Sequence, residues 1–133
     1  MKIGLISCVK TKNNKICAAK DMYISDLFKK SLAFSLKNYD KTYILSAKYG
    51  LLELNDIIEP YELTLNNQSV LFKKKWSYKV YLKLKEKQDL KNDTFYFCCG
   101  KNYRLYLKQK LNHKIPIEGL SFGNQLKFYK KNI

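Results

Sequence analysis

The chain has 133 residues, of which 46% are hydrophobic and 28% charged, and its 26 basic against 11 acidic residues give a net charge of +15. This length is typical of one domain whose core needs no disulfide or metal to hold it together. No stretch is long and apolar enough to cross a membrane, and the apolar run at residues 3–7 is too short for a signal peptide, so we expect a cytoplasmic protein without membrane contact.

The first third of the chain predicts one strand and one helix. Residues 2–7 form a short apolar segment, which is typical of a buried strand. Residues 8–21 show no clear periodicity and are predicted to form a loop. A helix is predicted over residues 23–38, with Ser25 or Asp21 as its N-cap. Its predicted buried stripe consists of Ile24, Leu27, Phe28, Leu32 and Leu36.

The middle of the chain predicts a second strand and a long helix. Residues 41–46 read as a strand that ends in the turn AKYGLL. The segment 53–68 contains Glu59-Pro60, which must be extended because proline disfavours a helical conformation in the residue before it. A helix is predicted over residues 69–88. Its predicted buried side carries Val70, Leu71, Trp76, Val80 and Leu84.

The last third predicts a third strand over residues 94–99, closed by Gly100, and then helices over 102–112 and from about 123 to 131. Tyr103, Leu107 and Leu111 form one stripe of the first of these helices. Strands that alternate with helices favour parallel pairing. We therefore predict one α/β domain, residues 1–133, with three layers and a small, largely parallel sheet between helices.

The cysteines and the histidine give no support for a metal site. Cys8, Cys17, Cys98 and Cys99 contain no C-x-x-C pair, and vicinal residues at a strand end point to opposite faces. We expect no bound metal, no cofactor and four reduced thiols, most of them in the core. His113, the only histidine, is expected near the C-terminus of a helix rather than in a catalytic site.

Small and polar residues followed by lysines mark the ends of all three predicted strands. Ligands of parallel sheets bind beyond these carboxyl ends, and small residues let the backbone approach a phosphate. The residues concerned are Ser7, Cys8, Ser46, Gly50 and Gly100, with Lys10, Lys12, Lys48 and Lys101 beside them. For each small residue alone, the closing of a tight turn is an equally good explanation. We expect this face of the molecule to be the more positive one.

Acidic residues are scarce, yet three of them fall in the segment 44–65. They are Asp56, Glu59 and Glu62, and the same segment contains Tyr49 and Tyr61. Carboxylates beside a positive crevice suit a general base or the stabilisation of an oxocarbenium ion, and tyrosines can stack on an unpaired base. The alternative is a surface loop whose acids cap helices or pair with lysines.

The excess of positive charge favours a polyanionic partner, most simply nucleic acid, with DNA as our expectation. A competing explanation is compositional, because richness in Lys, Asn, Ile and Tyr is also what an AT-rich genome encodes. The sequence contains neither G-x-x-x-x-G-K-[ST] nor G-x-G-x-x-G, so nothing supports a P-loop or a dinucleotide-binding fold.

The segment 44–65, ILSAKYGLLELNDIIEPYELTL, resembles the signature of the YaaA-like family of peroxide-stress proteins. Nearly the whole chain is similar to a group of small bacterial and phage proteins that share further motifs. These motifs are Cys8-x-x-Thr11-Lys12, Ala19-x-Asp21-x-Tyr23-x-Ser25-x-Leu27-Phe28, Gly100-x-x-Tyr103-Arg104 and Gly123-x-Gln125-Leu126.

This resemblance implies an α/β fold and association with DNA. The N-terminal pattern of Cys8, Tyr23 and Ser25 also resembles part of the domains in archaeosine-type tRNA-modification enzymes, which in turn are similar to uracil-DNA-glycosylase-like folds.

Our lead hypothesis is an N-glycosylase-like hydrolase that acts on a modified or damaged base in nucleic acid. Asp21 or Glu59 is the predicted catalytic carboxylate, and Lys12 and Lys48 are the predicted phosphate contacts. Tyr23, Tyr49 and Tyr61 are predicted to hold a flipped base, and Gln125 to read its edge. The other predicted substrate contacts are Ser7, Cys8, Ser25, Ser46, Gly50, Gly100, Tyr103 and Arg104.

Two other hypotheses stay open. The first is a DNA-binding protein without catalytic activity, which needs the lysines but neither Asp21 nor Glu59. The second is a phage-encoded interaction protein that blocks a host complex through its basic face. For Arg104, the only arginine, a surface ion pair is the alternative to a phosphate or base contact.

Overall fold

Five strands form the central sheet of the computed structural model, which describes all 133 residues. The strands of the chain are β1 Lys2–Ser7, β2 Cys17–Ala18, β3 Lys41–Ser46, β4 Gly50–Glu53, β5 Ile57–Ile58, β6 Thr94–Cys98 and β7 His113–Lys114. The helices are α1 Ala19–Met22, α2 Asp26–Asn38, α3 Val70–Lys87, α4 Lys101–Arg104 and α5 Phe122–Lys131, and 3-10 turns cover Leu65–Asn67 and Lys108–Lys110. The predicted α/β class is confirmed.

The strand order of the sheet is β4-β3-β1-β6-β7. β1 pairs in parallel with both β3 and β6, β7 pairs in parallel with β6, and only β4 is antiparallel to its neighbour. The carboxyl ends of β1, β3 and β6 therefore meet at one edge of the sheet, as the alternation of strands and helices predicted. β2 and β5 form a separate two-stranded ribbon.

Helices cover both faces of the sheet. On one face Gly4, Thr42 and Tyr96 share a register across three strands. α2 packs on this face of the sheet, where its Ser35 hydroxyl forms a hydrogen bond with the Thr42 hydroxyl of β3 at 2.6 Å. α5 in turn packs against α2. On the other face the Tyr43 hydroxyl donates to Gln88, the residue that ends α3, across 2.6 Å. The result is the predicted three-layer arrangement.

Serine side chains determine where the long helices begin. Ser25 has an extended backbone and its hydroxyl accepts the Phe28 N–H at 3.1 Å, which confirms Ser25 rather than Asp21 as the cap of α2. The helix therefore begins at Asp26 and not at residue 23. Ile24 precedes the helix and is exposed, and Leu36 is exposed as well, so the predicted buried stripe is wrong at both ends.

The helix predicted over 69–88 is confirmed as α3, which begins directly after its cap Ser69. Trp76, Val80 and Leu84 are buried as predicted. Val70 and Leu71 are exposed, contrary to the prediction.

Three further predictions of local structure are wrong. The predicted loop 8–21 contains β2 and most of α1. The predicted turn after β3 is present over residues 47–49, although its last three residues belong to the hairpin strand β4. The helix predicted over 102–112 is only the single turn α4 followed by a 3-10 turn. His113 consequently lies in β7, beside Phe95 of β6, and not at a helix end. No helix of the protein is long and apolar enough to span a membrane.

Candidate functional site

A cavity of about 800 Å³ opens at the carboxyl ends of β1 and β6. Its walls come from five parts of the chain: residues 7–12 after β1, residues 61–67, residues 98–103 around the end of β6, and one face each of α2 and α5. The sequence-predicted residues that line it are Ser7, Cys8, Lys12, Tyr61, Gly100, Tyr103 and Gln125. The parallel sheet thus brings together residues that are far apart in the sequence.

Hydrogen bonds join the end of β1 to the strands on both sides of it, β6 and β3. The Gly100 N–H donates to the Ser7 hydroxyl at 3.3 Å, and the Cys8 N–H donates to the Leu45 carbonyl at 2.9 Å. Ser7 and Gly100 therefore occupy the predicted place at adjacent strand ends. Their contact also supports the simpler explanation, that small residues close these turns.

Tyr103 and Cys8 form the buried floor of the cavity. The Cys8 thiol donates a hydrogen bond to the Tyr103 hydroxyl at 3.1 Å, and the indole of Trp76 packs edge-on against the Tyr103 ring at 5.6 Å. Burial raises the pKa of Tyr103 well above its usual value, so the phenol stays neutral at physiological pH. Both side chains are buried and paired with each other, so they determine the shape of the cavity floor.

Tyr61 forms one wall and belongs to a chain of hydroxyl groups. Its hydroxyl lies 2.7 Å from that of Tyr23 and accepts a hydrogen bond from Ser46, also at 2.7 Å. Burial raises the pKa of Tyr61 strongly, and that of Tyr23 to about 12. These hydroxyls hold the Tyr61 ring in a fixed position, with one face toward the Lys12 ammonium 4.7 Å away.

Lys12 brings a cation into the cavity. Partial burial lowers the pKa of Lys12, and the Cys8 thiol and the Glu62 carboxylate act in the opposite direction. Lys12 and Glu62 line the same cavity without forming a direct ion pair. Lys10, also in the lining, is exposed to solvent at the cavity mouth.

Glu62 is the only carboxylate in the lining of the cavity. Asp21 and Glu59, the predicted catalytic residues, are exposed and lie outside it. Asp21 lies on α1, and the backbone of Glu59 pairs with the Tyr49 hydroxyl through its N–H at 3.2 Å and its carbonyl at 3.4 Å. Among the three clustered acids, the structure therefore brings Glu62 to the cavity rather than Glu59.

Several predicted substrate contacts have structural roles instead. Tyr23 and Ser46 are buried with their hydroxyls paired, so Tyr23 has no face free for a base. Ser25 caps α2. Arg104 donates one N–H to the Cys99 carbonyl at 2.7 Å and forms no ion pair with a carboxylate, and the predicted phosphate or base contact of its other N–H groups stays a prediction.

Lys48, Tyr49 and Gly50 lie outside the cavity, in a second concavity beside α3. Gly50 has a φ of 74°, which an L residue rarely adopts, and it begins β4 at that point. Its backbone conformation accounts for this glycine without a ligand.

Sequence reasoning missed several polar or aromatic positions in the lining, and three of them bear on ligand binding. Asn66 and Asn67 come from the 3-10 turn, and Phe122 comes from the start of α5. Phe122 is 64% exposed although it is a large aromatic residue. No local pattern marks these residues, because they reach the cavity only through the packing of the turn and of α5.

The residues of the chain form no metal centre of the usual kind: no group of three or more His, Cys, Asp and Glu side chains is arranged to hold an ion. All four cysteines are free thiols, and Cys8, Cys98 and Cys99 are buried in the core as predicted. Burial raises the pKa of Cys98 to about 12 and raises that of Cys99 as well, so these two thiols are not activated nucleophiles.

Residues 3–131 match the model of DUF6884, a family of unknown function, and the chain belongs to that family. A comparison with curated proteins finds no match. The resemblance of residues 44–65 to YaaA-like proteins stays a prediction.

Proposed function

We propose that the protein binds one nucleotide unit of a nucleic acid in the cavity and hydrolyses its N-glycosidic bond. The observation that carries this proposal is the presence of Glu62, Lys12 and the ring of Tyr61 in one cavity at the carboxyl edge of the sheet. Such an edge is where α/β proteins bind their ligands.

The lining suits the parts of a nucleotide. Lys10 and Lys12 provide positive charge for a phosphate group. Phe122 presents an exposed ring at the mouth, on which a base can stack. The amides of Asn67 and Gln125 supply the donors and acceptors that read the edge of a base. Glu62 supplies the negative charge.

The proposed step needs water and no other reactant. Glu62 takes a proton from a water molecule, whose oxygen forms a bond to the anomeric carbon of the sugar. The bond between that carbon and the base nitrogen breaks, and its electron pair leaves with the base, which takes up a proton from solvent. The ionised carboxylate also faces the positive charge that develops on the sugar. The products are a free base and an abasic sugar.

One observation favours binding without catalysis as a second candidate function. The cavity contains a single carboxylate and no histidine, so no second carboxylic acid and no imidazole is in place beside Glu62 to protonate a leaving base. A base that leaves easily, such as one already positively charged, needs no such acid. Release of such bases would support the catalytic function, and release of no base would support binding alone.

The test uses single-stranded DNA and RNA oligonucleotides that contain uracil, hypoxanthine or the cationic base 7-methylguanine. Free base is measured by chromatography, and abasic sites by strand cleavage in alkali. We expect the wild-type protein to release base, and Glu62→Gln to lose at least about 100-fold in rate, the usual contribution of a general base.

Asp21→Asn and Glu59→Gln are matched controls, because each removes one exposed carboxylate outside the cavity. Both should retain wild-type rates. Equal rates for Glu62→Gln and wild type would rule out the assigned role of Glu62. If wild-type protein binds the oligonucleotides and releases none of the bases, the binding function replaces the catalytic one.

A further inference from the structure

A groove of about 560 Å³ runs between α3 and the turn that joins β3 to β4. We call it the α3 groove. Its lining combines four lysines with apolar side chains and contains one acid, Glu86. The lysines are Lys48, Lys75, Lys79 and Lys83, and the larger apolar residues are Leu51, Leu63, Phe72, Trp76 and Leu82.

Three of the lysines form a straight row. Lys75, Lys79 and Lys83 are spaced four residues apart on α3, so they follow one another along the helix at intervals of about 6 Å. Lys75 and Lys79 form no ion pair, and Lys83 has only a 4.0 Å contact with the exposed Glu86. The groove therefore carries positive charge that the protein itself does not neutralise.

The floor of the groove is apolar and partly open to solvent. Phe72 is 37% exposed and Leu82 is 40% exposed. A solvent-exposed apolar strip bordered by a row of like charges is typical of a binding surface rather than of an ordinary helix face. Its ligand must combine negative charge with flat or apolar groups.

The α3 groove adjoins the cavity. Leu63 lines both of them. The Tyr49 ring, in the groove, contacts the Tyr61 ring, in the cavity, edge-on at 5.6 Å between ring centroids. A ligand that lies in the groove is therefore next to the cavity, with Leu63 between the two.

We infer that the α3 groove holds a single strand of nucleic acid that flanks the nucleotide bound in the cavity. The row of lysines faces the phosphates, and the bases pack on Phe72 and its apolar neighbours. A duplex presents mainly its phosphates to a protein, so its bases do not contact the apolar floor of the groove. The unpaired bases of a single strand can pack on that floor. The position of the groove next to the cavity favours this ligand over an acidic peptide. This inference rests on the nucleic-acid partner of the proposed function.

Fluorescence anisotropy of a labelled single-stranded DNA 12-mer tests the inference, at several salt concentrations. Lys75→Gln/Lys79→Gln should bind roughly tenfold more weakly in 50 mM salt, and the slope of log K against log salt should fall by about 1.4, because two phosphate contacts are lost. Phe72→Leu should weaken binding about fivefold without a change in slope, because stacking is lost but no charge.

Lys29→Gln/Lys37→Gln is the matched control. Both residues are exposed on α2 and line neither the cavity nor the groove. Their substitution changes the net charge by the same amount as that of Lys75 and Lys79. This control should bind within about twofold of wild type. Thermal melts check that every variant is folded, which we expect because the substituted lysines are exposed.

Equal losses for the two lysine pairs would overturn the inference, since binding would then depend only on net charge. So would tighter binding of a hairpin duplex than of the single strand, or displacement of the 12-mer by an acidic peptide at lower concentration than by unlabelled strand. Base release from a trinucleotide, which is too short to occupy both cavity and groove, tests the proposed function separately. Its absence alone leaves the result for the groove in place.

Discussion

The thiol of Cys8 donates a hydrogen bond to the hydroxyl of Tyr103 across 3.1 Å, although 95 residues separate them in the sequence. The same hydroxyl lies 3.5 Å from the Leu65 N–H. One phenol thereby connects the end of β1, the 3-10 turn that precedes α3, and α4. These three segments carry most of the polar lining of the cavity, so its shape depends on this contact.

Tyr103→Phe should therefore lower the free energy of unfolding by about 1–2 kcal/mol, because the buried thiol and the Leu65 N–H lose their acceptor. Urea denaturation measures the change. Tyr78→Phe is the control, since Tyr78 is 52% exposed and its hydroxyl forms no hydrogen bond within the protein, and it should remain within about 0.5 kcal/mol of wild type. Equal stability of Tyr103→Phe and wild type would show that these groups find other partners.

Two buried serines give opposite predictions for the same substitution. Ser46 donates to Tyr61 at 2.7 Å and accepts the Tyr49 N–H at 3.1 Å. Ser46→Ala removes both bonds, so the Tyr49 N–H loses its acceptor and the Tyr61 hydroxyl keeps only its Tyr23 partner, and the variant should cost about 1–3 kcal/mol. The Ser77 hydroxyl is buried in α3 without a partner, so Ser77→Ala should stabilise by about 0.5–1 kcal/mol. Chemical denaturation measures the free energy of unfolding of both variants. A decrease for Ser77→Ala would contradict the prediction that its hydroxyl destabilises α3.

The sequence predicted β1, β3 and β6 well because each is a short, continuous apolar run that is buried in the sheet. The segment 102–112 shows why the same approach fails elsewhere. Tyr103, Leu107 and Leu111 are all buried at the spacing of a helix, yet the backbone leaves the helix after Arg104 so that the chain can return to the sheet as β7. The apolar pattern is satisfied by both conformations, and only tertiary pairing selects between them.

The candidate site was predictable to a similar extent. The parallel pairing of β1 with β6 places Ser7 beside Gly100. The alternation of strands and helices in the sequence predicts parallel pairing, so this part of the site was predictable. The choice between Glu59 and Glu62 was not, because the segment after β5 is irregular and has no period from which to assign a direction to each side chain. Phe122 and Gln125 enter the cavity through the packing of α5 on α2, a contact between distant segments.

Close packing of α2 on the sheet requires a glycine at position 4. A Cβ atom there would lie 2.0 Å from the Ser35 hydroxyl oxygen and 2.9 Å from the Tyr39 ring. Ser35 cannot move freely, since it bonds Thr42 at 2.6 Å. Gly4→Ala should therefore destabilise by about 1–3 kcal/mol or more, as overpacked cores do.

Gly123→Ala is the matched control for Gly4→Ala, because nothing lies within 4 Å of a Cβ at position 123. Alanine is the better helix former in α5, so this variant should be neutral or more stable by about 0.5 kcal/mol. Thermal melts of the pair measure the difference. A mild effect of Gly4→Ala, comparable to that of the control, would show that α2 shifts outward at little cost.

Phe122 should contribute to binding and not to stability. Its ring is 64% exposed at the mouth of the cavity. Phe122→Ala should weaken binding of a single-stranded 12-mer at least about fivefold, and Phe122→Tyr should restore it, because stacking needs an aromatic face. Ile57→Ala, at an apolar residue that is 69% exposed and outside the cavity, is the control. Equal binding by Phe122→Ala and wild type would remove Phe122 from the proposed site.

Acid should weaken the contact between α3 and the β3–β4 hairpin. The Glu53 carboxylate on β4 accepts hydrogen bonds from Lys41 and Lys87, each at 2.8 Å, and these lysines hold the pKa of Glu53 at about 2. In the unfolded chain this carboxyl titrates near 4.5, its ordinary value. The unfolded state therefore takes up a proton first as the pH falls, so the stabilisation is complete above about pH 4.5 and declines toward pH 2.

Denaturation of wild type and Glu53→Gln at pH 7, 4 and 2.5 tests this dependence. Because the Glu53 side chain is 40% exposed, solvent screens the ion pairs, and we expect wild type to be more stable at pH 7 by only about 1 kcal/mol. The difference should shrink toward zero at the lowest pH, and added salt should reduce it at pH 7. Glu86→Gln, which affects only a 4.0 Å contact between exposed side chains, should show no such trend. A difference that stays constant with pH would mean that Glu53 stabilises the protein through packing and not through its charge.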